Sequence, residues 1–213
     1  MPFDMPPVTR ALLIANVGIY LLQMLLGDPL IAYFALWPLG TQISLEDGVT
    51  VSFAIWQVVT YGFLHGGLTH LLFNMLALWM FGGAIEQLFG SRPFVFYYLA
   101  SVVGAAIAQL LVIQFFTGGV YPTVGASGGV FGLLLAFGMM FPHQRIMLLF
   151  PPIPMPAWVF VTGYGVIELY LGITGTQAGV AHFAHLGGMA AGFILIQYWR
   201  GKLPFKPRRI LMR

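Results

Sequence analysis

The chain has 213 residues, of which 59% are apolar and only 7% charged, and its mean hydropathy is +0.89. A water-soluble domain carries about a quarter charged residues, so this composition points to a bilayer-embedded protein. With no cysteine, disulfides and thiolate metal sites are excluded; the net charge of +3 is small, and no nucleic-acid partner is expected.

Apolar runs long enough to span, or nearly so, define six predicted helices: α1 at about 11–26, α2 at 69–89, α3 at 94–116, α4 at 126–141, α5 at 157–173 and α6 at 180–199. The first run ends at Leu26-Gly27-Asp28-Pro29 without a small-x-small cleavage site, so it reads as a retained helix rather than a signal peptide. Between α1 and α2 lies a long external loop, Gly27 to Gly67. It carries Phe34, Trp37, Phe53 and Trp56, which suits a segment lying in the membrane interface. The other interruptions carry turn chemistry: Gly90-Ser91-Arg92-Pro93, Thr117-Gly118-Gly119, Phe141-Pro142-His143, a proline cluster from Pro151 to Pro156, and Gly172 to Gly179. The expected fold class is an all-α membrane protein, one transmembrane domain over 1–213 with six helices, an interfacial loop and a basic cytoplasmic tail at 201–213.

Charge sets the direction of these spans. Arg10, Arg92, Arg145 and the cluster Arg200, Lys202, Lys206, Arg208, Arg209 and Arg213 all fall on one side if the helices number six. The other side has Asp28, Glu46 and Asp47 and neither Lys nor Arg. Positive-inside reasoning therefore puts both termini in the cytoplasm, and the basic tail reads as an anchor on anionic headgroups of the lipid bilayer.

Polar groups inside a span are costly and default to function. Here they are His70 and Asn74 in α2, Ser127 at the start of α4, Glu168 in α5, and His182 and His185 in α6; Gln109 and Gln114 in α3 read as interhelical packing. At ~1.5 Å per residue, Asn74 lies ~9 Å, Ser127 ~6 Å and His185 ~8 Å below the outer surface. These three residues, on three helices, thus share one depth. The stretch Gly118 to Gly125 reads as a loop dipping in to deliver Ser127 at a helix N-terminus, where free N–H groups favour negative charge. Gly188 and Gly192, a small-xxx-small pair, would let α6 press against α4.

Gly125-Ala126-Ser127-Gly128, Ala184-His185 with Gly188 and Gly192, and His70-x-x-x-Asn74 resemble the rhomboid intramembrane serine proteases. The similarity extends from about Trp56 to the end of α6 and includes Phe63-Leu64-His65-Gly66-Gly67 and Gly82-Gly83-Ala84-Ile85-Glu86. The resemblance implies a minimal six-helix prokaryotic rhomboid-like bundle, in an inner (plasma) membrane, that cuts transmembrane protein substrates near their external ends. It makes Ser127 the nucleophile and His185 the general base of a dyad, without cofactor or metal. His70, Asn74 and the Ser127 N–H would stabilise the oxyanion, Phe131 would pack on the imidazole, and α5 would be a mobile gate. Gln57 stands where the family usually has arginine, which bears on the rigidity of the loop.

His182 either holds water near the site or sits at the wet end of α6. Glu168 has three readings: an acid orienting His185, a contact holding α5 to α2, or a local or wet position. Glu86 reads as a tie for the inner loop near Arg92. Two rivals remain at this stage, a silent relative that escorts membrane proteins and a secondary transporter; the first lacks the serine or histidine, and the second calls for an inverted repeat.

Overall fold

A computed structural model describes residues 5–44, 50–147, 152–175, 181–205 and 207. Outside these lie Glu46 and Asp47, Pro151, Gly179 and Val180, and, of the basic tail, Lys206, Arg208, Arg209 and Arg213. The chain is mostly helical, and its long helices follow the apolar runs: α1 is Pro7–Leu26, α2 Leu68–Phe89, α3 Ser91–Thr117, α4 Ser127–Met140, α5 Ala157–Thr174 and α6 His182–Trp199. Four of them, α1, α2, α3 and α5, are long and apolar enough to cross a membrane. Helix α4 is a shorter apolar helix. Helix α6 has 18 residues but loses hydropathy to His182, His185 and Gln197, the polar groups that make it interesting.

Among the described residues the fold is not purely helical. A ribbon pairs β1 (Gln42–Ser44) with β2 (Thr50–Ser52) in the external loop. A second pairs β3 (Arg145–Met147) with β4 (Pro154–Pro156) between α4 and α5. Both correct the all-α expectation, for one reason: close-set helix ends joined by a longer segment leave backbone groups that a short ribbon pairs internally.

Burial sorts the helices. Ten of the 14 residues of α4 are buried, so α4 is the centre of the bundle and the others surround it. In α1 only Thr9 and Asn16 are buried, and in α5 only Ala157, Val161 and Glu168; these two helices turn Ile14, Leu21, Leu25, Val166, Ile167 and Ile173 outward, as lipid-facing helices do. The core between α2, α3, α4 and α6 is closed by Leu78, Ile85, Phe94, Tyr97, Leu133 and Ile196, each essentially inaccessible. Helix α2 carries a wide π turn at Leu78–Gly82 and α3 ends in another at Ile113–Thr117.

The external loop is folded rather than draped. After Gly27 it forms a helix, Asp28–Phe34, and returns through the β1–β2 ribbon to a short turn at Gln57–Phe63. Trp37 is buried and its indole N–H reaches the carbonyls of Ile31 and Ala32, while the indole of Trp56 donates to Tyr33 O at 3.0 Å. Gln57, the departure from the family pattern, is 1% exposed and makes three bonds: its Oε1 accepts from Trp37 N, and its Nε2 donates to Ser52 O and Tyr33 O. An amide here ties the loop from both its donor and acceptor ends, which a guanidinium, donor only, does not do.

Glu86 ties the segment between α2 and α3 to the start of α1. Its carboxylate accepts from Val8 N, Thr9 N (2.7 Å) and Thr9 Oγ1 at the start of α1, and from Ser91 Oγ at the start of α3. An anion there meets the unsatisfied N–H groups and the positive end of the α1 dipole. Glu86→Ala leaves those donors unanswered in a buried place and should lower stability by about 1–3 kcal/mol; thermal unfolding in detergent measures it, and an unchanged midpoint would contradict this role for Glu86.

Candidate functional site

Ser127 is the first residue of α4, and the first hydrogen bond of that helix runs from Val130 N to Ala126 O. The N–H groups of Ser127, Gly128 and Gly129 therefore have no intrahelical acceptor. The segment entering α4 is held on two sides. Thr123 exchanges both backbone hydrogen bonds with Leu36 of the external loop (3.0 and 2.9 Å), and Gly125 N donates to Tyr61 O. Tyr61 in turn donates its hydroxyl to Val102 O of α3 at 2.8 Å. Leu36, Tyr61 and Thr123 were invisible as site residues in the sequence because their contacts join distant segments with no shared period.

His185 lies on the face of α6 turned to α4, 9% exposed, with Nε2 2.9 Å from Ser127 Oγ. Phe131, one turn into α4, stacks on the imidazole with ring centres 4.2 Å apart and planes 6° from parallel, as the resemblance implied. The helices can come this close because of Gly188: a Cβ there would collide with the backbone carbonyl of Gly128. Gly192 does not serve the same contact. A Cβ there would meet the Tyr97 hydroxyl of α3, so the expected pair divides its work between two neighbours.

Among the described residues, the hydrogen-bond partners of Glu168 lie on α6 and not on α2. Its Oε2 lies 2.9 Å from His185 Nδ1 and 2.7 Å from His182 Nδ1, and the carboxylate is buried. This corrects the wet-end reading of His182, which is 5% exposed, and sets aside the reading of Glu168 as a contact to α2. The physical reason is helical: residues 182 and 185 are one turn apart and share a face, so one carboxylate oxygen can take both. An ionised carboxylate only accepts, so the Nδ1 of each histidine is the donor. For neutral His185 that leaves the Nε2 lone pair facing Ser127, the arrangement in which it accepts the hydroxyl proton. Glu168, His182 and His185 also have metal-ligand chemistry, their ligand atoms lying within 4.8 Å of one another, but the two N···O distances are those of hydrogen bonds to one oxygen.

On the other side of Ser127 stands His70. Gly66 N donates to its Nδ1 at 3.3 Å, so in the neutral ring Nε2 carries the proton. Gly125 has φ +132°, and a Cβ built on it would lie 2.8 Å from His70 Nε2 and 3.5 Å from Ser127 Oγ. Glycine thus leaves open a small space flanked by a serine hydroxyl and an N–H donor. Asn74, one turn on in α2, is buried and donates from Nδ2 to His70 O at 3.1 Å; its amide has a second N–H to give. His65, behind His70, meets its ring edge-on at 5.2 Å, and its backbone is clasped by both ends of the Gln23 side chain from α1.

Comparison with known proteins agrees with this geometry. The family model described as the Rhomboid domain matches residues 52–201. The chain belongs to the rhomboid family. It is 30% identical over 202 residues to Rhomboid protein 1, mitochondrial, of Saccharomyces cerevisiae, covering 84% of this chain and 53% of that one. It is 33% identical over 138 residues to Rhomboid protease GluP of Bacillus subtilis (65% and 25% covered). Against Rhomboid protease GlpG of Klebsiella pneumoniae it is 27% identical over 198 residues (89% and 62%). The chain therefore spans between a quarter and three fifths of the length of these relatives. The matched region begins at the end of β2 and takes in Ser127, His185, Glu168, His182, His70 and Asn74, whereas Leu36 and Gln23 lie before it.

The close approach at Gly188 has a measurable consequence. Gly188→Val should destabilise the protein by about 2–4 kcal/mol, through overpacking against backbone that has nowhere to go. Gly18→Ala, where nothing lies within 4 Å of the added carbon, should be neutral or slightly stabilising. Thermal midpoints of the two variants in one detergent check the contrast.

Proposed function

We propose that this protein is an intramembrane serine endopeptidase that cuts transmembrane segments of other membrane proteins near their external ends. The observation that carries the reading is the 2.9 Å contact between Ser127 Oγ and His185 Nε2 at the open N-terminus of a buried helix, in a chain of the rhomboid family. In this reading all six helices span, α4 and α6 included, and both termini lie in the cytoplasm, since only then do Arg10, Arg92, Arg145 and Arg200 share one side. The outer ends of α2 and α6 and the start of α4 then face the same way, close to the external surface.

The chemistry follows from the atoms in place. An unwound stretch of substrate enters with its scissile carbonyl carbon against Ser127 Oγ. Oγ bonds to that carbon as the hydroxyl proton passes to His185 Nε2, and the carbonyl π electrons move onto oxygen. The Ser127 N–H, the Nε2–H of His70 and the Asn74 amide stabilise that oxygen. His185 then gives the proton to the leaving nitrogen as the C–N bond breaks, and water repeats the sequence on the acyl-enzyme. The stacked Phe131 keeps the imidazole from turning away between the two transfers.

The silent-relative reading fits poorly with a serine and a histidine in hydrogen-bond contact, and the transporter reading with polar groups gathered at one end of the bundle. Purified protein incubated in detergent with a single-span substrate should cut it near its external boundary. Ser127→Ala and His185→Ala should lose at least ~10³-fold in turnover, and Asn74→Ala and His70→Ala roughly 10²-fold each. If the wild type neither cuts nor reacts with a serine-directed fluorophosphonate, the protease reading fails.

A further inference from the structure

A buried carboxylate on a lipid-facing helix is an expensive thing to keep. Helix α5 turns most of its surface outward and buries only three residues, yet one of them is Glu168. Unpaired, its charge would be strongly unfavourable in this setting. Its two donors come from one helix: Nδ1 of His182 at 2.7 Å and Nδ1 of His185 at 2.9 Å, both to Oε2. A tie between α5 and α6 needs nothing so costly, since a neutral amide or hydroxyl would serve. What a carboxylate adds at Nδ1 of a base is twofold. It holds the ring in the tautomer whose Nε2 is free, and it favours the imidazolium that forms when Nε2 is protonated.

We propose that Glu168 is a positioning residue for His185, making a Ser127–His185–Glu168 triad, and that His182 in turn positions Glu168. This rests on the reading of Ser127 and His185 as nucleophile and base, and extends it from two residues to four. During acylation the proton moves from Ser127 Oγ to His185 Nε2 alone; Glu168 remains ionised and His182 remains a donor, so no second proton changes hands. His182 is itself held with Nε2 buried and without a partner among the described residues. That is a cost at Nε2, offset through the bond made by Nδ1. His182 and Glu168 are thus bound to each other's presence: without His182 the carboxylate keeps a single donor, and its oxygen can swing off the base.

The test separates positioning from a mere structural tie. Glu168→Gln keeps the size and can still accept from Nδ1–H but has no charge; kcat should fall roughly 10²- to 10⁴-fold with KM within about 2-fold of wild type and the thermal midpoint little changed. His182→Ala should lose less, about 10-fold, and His182→Asn, which retains an N–H donor, should recover part of that loss. A kcat for Glu168→Gln within about 3-fold of wild type overturns the proposal and leaves Glu168 as a tie. An unchanged kcat in His182→Ala overturns the role of His182. The ring nitrogens of His185, observed by 15N NMR in the Ser127→Ala protein, give a reading that does not need turnover. Protonation at Nδ1, shifting to a tautomer mixture in Glu168→Ala, supports the proposal; protonation at Nε2 with Glu168 present overturns it. If the wild type cuts no substrate, the protease reading fails by itself, while the tautomer still decides whether Glu168 positions the ring.

Discussion

The site depends on two backbones touching. Ser127 and His185 have short reaches, and their hydrogen bond requires α4 and α6 to approach until the carbonyl of Gly128 meets the Cα of Gly188. Any side chain at Gly188 holds the helices apart. In a bilayer this contact gains little from the hydrophobic effect, because lipid tails are as apolar as leucine, so shape does most of the work. Small residues along α4, α3 and α6 recur for this reason: Gly104 faces Ala191, Gly132 faces Ser101, and Gly187 faces Ala108. Around this tight centre the large side chains, Phe94, Tyr97, Tyr98 and Leu133, fill what remains.

Position along the helix axis comes from a different set of forces. The start of α4 is reached through irregular backbone, and such backbone persists inside a protein only if its polar groups are answered. Leu36 and Tyr61 answer them, through the two bonds to Thr123 and the one to Gly125. The loop between α1 and α2 is therefore more than a connection. Pinned by Gln57 at its own centre, it acts as a strut that fixes where α4 begins and hence where Ser127 stands. The hydrogen bonds that orient His70 belong to the same frame, since Gly66 donates from the turn that ends this loop.

The two buried glutamates show how one residue type takes different duties from its surroundings. Glu86, near the C-terminal end of α2, accepts among the described residues from backbone N–H and hydroxyl groups, and its anion joins two helix starts. Among the described residues none of its hydrogen-bond partners is titratable, and its role is architectural. Glu168 accepts from two imidazoles, one of which also contacts a hydroxyl at a helix N-terminus. The carboxylate is the same, but only the second is bonded to imidazoles, which can gain a proton.

The sequence by itself determined that the chain is a membrane protein, where its long helices run and which few polar residues were worth attention. These rest on local properties: apolar run length, glycine and proline breaks, and the one-sided basic residues. Polar residues within apolar runs on α2, α4 and α6 singled out Ser127, His185, His70 and Asn74 as candidates, because each lies on a regular helix whose rise is known. The tertiary structure alone decided the rest. That Gly192 serves α3 instead of α4, that Gln57 secures the loop an arginine was expected to hold, and that β ribbons close two connections all depend on contacts between distant segments. Glu168 is the clearest case. Its depth could be read from its place in α5, but the direction it faces is set by how α5 is rotated against α6, and only that rotation brings one carboxylate oxygen to both His182 and His185.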